Sequence, residues 1–274
     1  SSFENLEKYE QNSPEALQIM VEAERRAYAD RAEYMGDQDF ITDKTEMLIS
    51  DKCLKDRWKN FSFEKATPSA EVGKIVNQPK ESEQTTHLSI IDKYGNAVSV
   101  TTTLNGLYGS KVVVKGGGYF LNNEMDDFSV KPGVPNMYGA VGGEANSIAP
   151  NKRMLSSMTP TIVLKNGKPF IIVGTPGGTT IPTSVYQSIV NAIDFKLSPN
   201  FVINAPKFHH QWLPEVVFVE KNFPQSTLKA LEQKNYKFEK RGGIGRTEMI
   251  IIDEKGNAAA VADGRGDDSV AVEN

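Results

Sequence analysis

Cysteine, histidine and long apolar runs are scarce in this sequence, and each scarcity removes a class of chemistry. A single cysteine among 274 residues, Cys53, can form neither an intrachain disulfide nor a cysteine-rich metal site. The three histidines, His87 and the adjacent pair His209 and His210, lack the spacing of a helical zinc motif, so no metal is expected. No apolar stretch approaches the roughly 18 residues needed to cross a bilayer, so no membrane span is expected in this segment. Basic residues do not predominate: 31 Lys and Arg face 35 Asp and Glu, a net charge of −4, which argues against nucleic acid as a partner. Nucleophile-elbow, P-loop and dinucleotide-binding signatures are missing, and Gly116-Gly117-Gly118 reads as a turn because no Lys-Ser/Thr follows it.

What remains is a chain that is 39% hydrophobic, enough for a core, and long enough for one large domain or two small ones. Ser13-Pro14-Glu15 has the order of a helix start, with a capping hydroxyl, a proline in the first turn and an acid behind it. Leu17, Met20, Val21, Ala27 and Tyr28 then recur at helical spacing as far as Tyr34. A second helix is expected over about 44–60, with Cys53 on its apolar stripe as a small buried hydrophobe. Residues 61–84 are polar and turn-rich and read as an exposed loop.

The texture changes at Thr85. Thr86–Asp92 and Ala97–Leu104 are rich in β-formers and flank Lys93-Tyr94-Gly95-Asn96, a hairpin signature that recurs where Asp253–Asn257 joins strands at 249–252 and 258–262. Further strands are expected at 112–114, 119–121, 161–164 and 170–174, with helices over about 183–195 and 225–234. Paired strands with separate helices indicate an α+β layered fold.

Several small polar clusters stand out: Thr85-Thr86-His87, Thr101–Asn105, Asn122–Phe128, Ser156–Pro160 and Gly174–Gly178. Taken singly, each also suits a bland role, as strand-forming threonines, a solvated acidic turn or a Pro-Gly turn. Taken together and in order, Gln84–His87, Thr103-Leu104-Asn105, Asn122–Phe128, Pro132–Asn136, Leu155–Pro160 and Pro176-Gly177-Gly178 resemble the γ-glutamyltranspeptidases. The likeness is dense from Thr85 to about Pro214 and looser towards both ends.

The resemblance implies the four-layer αββα sandwich of N-terminal-nucleophile hydrolases. It implies a precursor that cuts itself between Gln84 and Thr85, dividing 1–84, the end of a large subunit, from 85–274, a small catalytic subunit. Members of the family are about twice this length, so the remainder of the large subunit is an expected partner. Its Arg for the substrate carboxylate has no counterpart among Arg25, Arg26, Arg31 and Arg57. A freed α-amine, with a pKa near ~7.7–8.0, would serve as base for the Thr85 hydroxyl.

By the same resemblance Thr103 assists Thr85, Asn105, Glu124 and Asp127 hold the donor's α-amino group, and Ser156 and Ser157 hold its α-carboxylate. Glu124 stands where relatives carry Gln. Gly177 and Gly178 form the oxyanion hole, and Tyr138 sits on a lid. The implied substrates are γ-glutamyl compounds such as glutathione, with water, amino acids or peptides as acceptors and no cofactor. Two alternatives stay open: a related cephalosporin or poly-γ-glutamate acylase, and a catalytically silent binding paralogue. A periplasmic or secreted location is expected from relatives alone.

Overall fold

A computed structural model describes residues 6–73, 85–137 and 139–272. In chain order its longer elements are α1 (Pro14–Tyr34), α2 (Thr45–Leu48), α3 (Asp51–Trp58), β1 (Thr85–Ile91), β2 (Ala97–Thr103), β3 (Thr161–Lys165), β4 (Lys168–Gly174), α4 (Thr180–Ile193) and α5 (Pro199–Asn204). They are followed by β5 (Phe208–His209), β6 (Val217–Glu220), α6 (Gln225–Glu232), β7 (Phe238–Arg241), β8 (Glu248–Ile252) and β9 (Ala258–Val261). The chain divides into two compact units of interleaved segments: 1–82, 123–156 and 209–240 in the first, and 83–122, 157–208 and 241–274 in the second.

The first unit is organised around α1. Ser13 caps it, its hydroxyl accepting from the Ala16 N–H at 3.3 Å, and Pro14 fills the first turn, as the sequence predicts. The helix is buried on more than its apolar stripe. Tyr28, Ala29 and Ala32 pack with Val72, Val141, Trp212 and Leu213. Gln18, Glu22, Arg25 and Arg26 are buried as well, and the charges of the last three are compensated internally. Arg26 meets Glu22 at 2.6 Å, the Tyr236 hydroxyl donates to Glu22 at 2.8 Å, and Arg25 donates to Ser69 Oγ at 2.6 Å. Buried charges persist only when paired in this way.

Two expectations fail here. The single helix over 44–60 is two helices, because Ser50 breaks the run and caps α3 by accepting from the Cys53 N–H. α3 buries no residue, and Cys53 is half-exposed rather than a core hydrophobe.

In the second unit β1 and β2 form an antiparallel hairpin in full seven-residue register, and β3-β4-β8-β9 form a four-stranded antiparallel sheet. The hairpin packs on that sheet, and α4 and α5 pack against β4, β8 and β9. The apolar core lies between sheet and helices: Ile171, Val173, Val185, Val202, Ile203 and Met249. The hairpin turns have a local cause: Asp92 Oδ1 accepts from the Tyr94 and Asn96 N–H groups at 2.8 Å, and Asp253 does the same for Lys255 and Asn257. The strands expected at 112–114 and 119–121 reduce to one antiparallel bridge, Val113 with Phe120, around the glycine turn. α4 begins three residues earlier than expected, with Thr179 between it and the Gly177-Gly178 pair.

Candidate active site

The β1–β2 ladder places the first residue of one strand opposite the last of the other. Thr85 therefore faces Thr103, and the Thr85 hydroxyl donates to Thr103 Oγ1 at 3.1 Å. That acceptor is itself fixed: the backbone N–H of Asn105 donates to it at 2.9 Å. Asn105 makes this bond from a left-handed conformation, φ 72°, which asparagine tolerates better than most residues. It is buried, so its amide is held where the ladder ends.

The same face of the hairpin continues as a row of polar groups. His87, buried, lies two residues from Thr85; its Nδ1 is 2.8 Å from Thr101 Oγ1 and its Nε2 is 3.0 Å from Ser89 Oγ. The Ser99 hydroxyl donates to the Val173 carbonyl at 3.0 Å, locking the hairpin to β4. The imidazole occupies the space left by Gly174, where any Cβ would overlap the ring. Burial lowers the His87 pKa to about 4, so it is a neutral hydrogen-bonding post near neutral pH. The apolar residues Leu88, Ile90, Val98 and Val100 lie exposed on the other face. His87 stands in the first motif, yet nothing in its spacing distinguishes this structural use.

Gly177 and Gly178 lie between the end of β4 and the start of α4. The Gly177 carbonyl accepts from the Thr180 N–H and hydroxyl at 2.9 and 2.7 Å, so it is turned into the helix. In a trans peptide the N–H of Gly178 then points the opposite way. Both residues have positive φ, 138° and 54°, and a Cβ on Gly177 would overlap Thr180 Oγ1. Glycine is required there by backbone and by space. The N-terminus of a 14-residue helix adds partial positive charge beside this turn. A cavity of about 350 Å³ borders Thr85 and Gly177.

The remaining candidates are divided between the units. Ser157 belongs to the second unit with Thr85, Thr103, Asn105, Gly177 and Gly178; Glu124, Asp127 and Ser156 belong to the first. Glu124 and Asp127 bracket one short 3₁₀ turn. Burial, then the neighbouring Glu124, push the Asp127 carboxyl up to about 7, against the pull of Arg31 on α1. Burial also raises Glu124.

One residue outside the motifs organises this half. The buried Asn146 side chain donates to the Asp127 carbonyl at 2.7 Å and accepts from the Leu155 N–H at 3.0 Å. It thereby joins the acidic turn to the segment carrying Ser156. No local pattern announces Asn146, since its partners lie nine and nineteen positions away. Gln84 and Tyr138 lie outside the described residues. Among the described residues no group of three or more His, Cys, Asp or Glu is arranged to hold a metal ion, and no helix is long and apolar enough to cross a membrane.

Comparison with known proteins places the chain in a family. The family profile described as Gamma-glutamyltranspeptidase matches residues 1–273. The chain is 48% identical over 268 residues to the glutathione hydrolase proenzyme of Escherichia coli (strain K12), covering 97% of this chain and 46% of that protein. It thus spans about half the length of the curated relatives it matches. Among solved structures, the γ-glutamyltranspeptidase of Pseudomonas nitroreducens complexed with L-DON superposes with a TM-score of 0.66 at 43% identity, covering 69% of this chain and 100% of that one. A cephalosporin acylase from Bacillus halodurans superposes with a TM-score of 0.82 at 27% identity, covering 98% and 48%.

Proposed function

The chain belongs to the γ-glutamyltranspeptidase family and has the αββα fold of the N-terminal-nucleophile hydrolases, and from that premise we propose that it carries the nucleophile for γ-glutamyl hydrolysis and transfer. In this reading Thr85 Oγ1 first attacks the carbonyl carbon of Gln84. The Gln84–Thr85 C–N bond breaks, nitrogen takes the hydroxyl proton, and water opens the ester to leave a free amine on Thr85. That amine then accepts the Thr85 proton as the oxygen attacks the γ-carbonyl of a donor such as glutathione. The amide C–N bond breaks and the leaving amine takes a proton. Water resolves the γ-glutamyl-Thr85 ester to glutamate; an amino acid or peptide amine resolves it to a new γ-glutamyl amide.

The observation that carries this reading is the Thr85–Thr103–Asn105 chain of hydrogen bonds, set by strand register beside the Gly177-Gly178 turn. Thr103 fixes the rotamer of the attacking oxygen. The N–H groups of the glycine turn stabilise the developing oxyanion, each such donor contributing ~3–4 kcal/mol in other hydrolases. Glu124, Asp127 and Asn105 receive the donor's ammonium, and Ser156 and Ser157 its carboxylate. Self-processing gains support from lengths: residues 85–274 are 190 of 274, or 69%, and the Pseudomonas nitroreducens chain is covered completely by 69% of this one.

The five head-group residues favour a γ-glutamyl donor over an acylase substrate without an amino-acid head. The test compares hydrolysis of γ-glutamyl-4-nitroanilide with that of a glutaryl anilide, which lacks the ammonium. Preference for the γ-glutamyl compound is expected; preference for the glutaryl compound overturns the reading in favour of an acylase.

A further inference from the structure

The cavity beside Thr85 has a lining that the donor head group does not use. Besides Thr85, Pro176 and Gly177 it is bordered by Gly243, Gly245, Arg246 and Arg265, all from the second unit. None of Asn105, Glu124, Asp127, Ser156 or Ser157 borders it. A reacting amide carbonyl carries two substituents, the glutamyl chain and the amine. A space that meets the nucleophile and one oxyanion glycine, but no head-group residue, is where the amine side belongs. At about 350 Å³ it is on the scale of small-ligand sites.

The two arginines differ in how they are employed. The Arg265 guanidinium is engaged behind the wall: it donates to the Ile203 and Ala205 carbonyls at 2.9 and 2.8 Å and to Asp263 Oδ1 at 2.9 Å. The other oxygen of Asp263 meets the buried Lys207 Nζ at 3.1 Å. Arg265 thus leaves its stem along the cavity, packed under Gly243.

The Arg246 backbone N–H donates to Thr175 Oγ1 at 2.8 Å, one residue before Pro176. Its side chain is 37% exposed and contributes Nη1 to Asp267 at 3.2 Å and, more weakly, to Asp268 at 3.8 Å. The Asp267 side chain is 99% exposed, so the pair is a solvated one that a ligand carboxylate can replace at little cost. An arginine fork is suited to a carboxylate, which it can take with two parallel N–H bonds.

We propose that this cavity is the subsite for the amine partner and that Arg246 pairs with that partner's carboxylate. In acylation the partner is the leaving amino acid or short peptide of the donor. By microscopic reversibility the incoming acceptor of the transfer reaction occupies the same place. The inference rests on the γ-glutamyl reading and adds where the second substrate lies and what chemistry recognises it.

The test uses the processed protein in its natural full length and two donors differing only in a leaving-group carboxylate, γ-glutamyl-4-nitroanilide and γ-glutamyl-3-carboxy-4-nitroanilide. The ratio of their kcat/KM values does not depend on the fraction of active protein, so partial misfolding of a variant does not disturb it. Arg246→Gln is expected to lower the ratio of carboxylated to plain donor roughly fivefold, the scale of a half-exposed charged contact. Arg246→Lys restores part of it, and Asp267→Asn, which removes the competing carboxylate, raises it. In the transfer arm, Arg246→Gln weakens glycylglycine and glycine as acceptors relative to glycylglycinamide and glycinamide; a change for the dipeptide pair alone assigns the site to peptides. A ratio unmoved in both Arg246→Gln and Asp267→Asn overturns the subsite while leaving the proposed function standing. Failure of the wild-type protein to turn over either anilide overturns the proposed function, and the subsite with it.

Discussion

Thr85 and the Glu124–Asp127 turn are held by opposite means. Thr85 opens a strand whose seven residues are all paired with β2, and its hydroxyl rests on an oxygen fixed by a backbone N–H. Ladder pairs support one another, so no single side chain carries the position of the reacting oxygen. The acidic turn is a single 3₁₀ turn without a side-chain cap, and the Asn146 amide is what ties it to the segment bearing Ser156. In the proposed function the contrast follows from two tasks. Bond formation needs reacting atoms about 3 Å apart in fixed orientation, whereas gripping a charged head group needs opposite charge at a distance that tolerates adjustment. Damage to the ladder side is therefore expected in kcat, and damage to the turn in KM.

The largest break in that contrast is expected from Gly177→Ala. Its φ of 138° and the overlap of a Cβ with Thr180 Oγ1 force the turn to move, and steady-state kinetics is expected to show kcat falling about 10²–10³-fold, the cost of losing an oxyanion donor elsewhere. An unchanged kcat would detach the glycine pair from the chemistry. Next comes Asn146→Leu, which buries the Asp127 carbonyl and Leu155 N–H without their partner. Denaturant melts should show a loss of about 2–4 kcal/mol, and in the protein that remains folded the donor KM should rise more than kcat falls. The reverse split would erase the distinction between the two regions.

Smaller effects concern protons. In the proposed reading Asp127 must be ionised to receive an ammonium, and burial and then Glu124 push its carboxyl up to about 7. Donor KM is accordingly expected to fall as pH rises through 7. Glu124→Gln removes the neighbouring negative charge, lowers the Asp127 pKa and moves that limb to lower pH; a pH profile of KM that stays in place separates Asp127 from binding. The smallest effect belongs to His87. Its pKa is depressed from 6.5 to about 4, so the unfolded chain takes up the proton first as pH falls. The stability His87 contributes is complete above 6.5 and is lost progressively towards pH 4. Thermal melts of wild type and His87→Asn across that window should converge as pH falls.

The parts readable from the sequence are those whose cause is local. Ser13 and Pro14 at the start of α1, the Asp92 and Asp253 turns and the β1–β2 alternation each rest on residues within four positions of one another. β5, β6 and β7, at two to four residues, are too short to show a period and pass unnoticed. The helical period over 44–60 runs straight through Ser50, whose capping role competes with it. In the site, family motifs mark Thr85, Thr103, Asn105, Gly177 and Gly178, and the structure of the second unit joins Thr85, Thr103 and Asn105 by hydrogen bonds. Asn146, His87 and Arg246 act through distant partners, and those partners become visible only once the chain is folded.

Everything proposed for the site depends on Thr85 being a nucleophile that frees its own amine. N-terminal sequencing with intact mass of the purified full-length protein, beside its Thr85→Ala variant, tests it most directly. A species beginning at Thr85 is expected in the wild type and an uncut chain in the variant. A wild type with no such species, or a variant cut at the same bond, would contradict it.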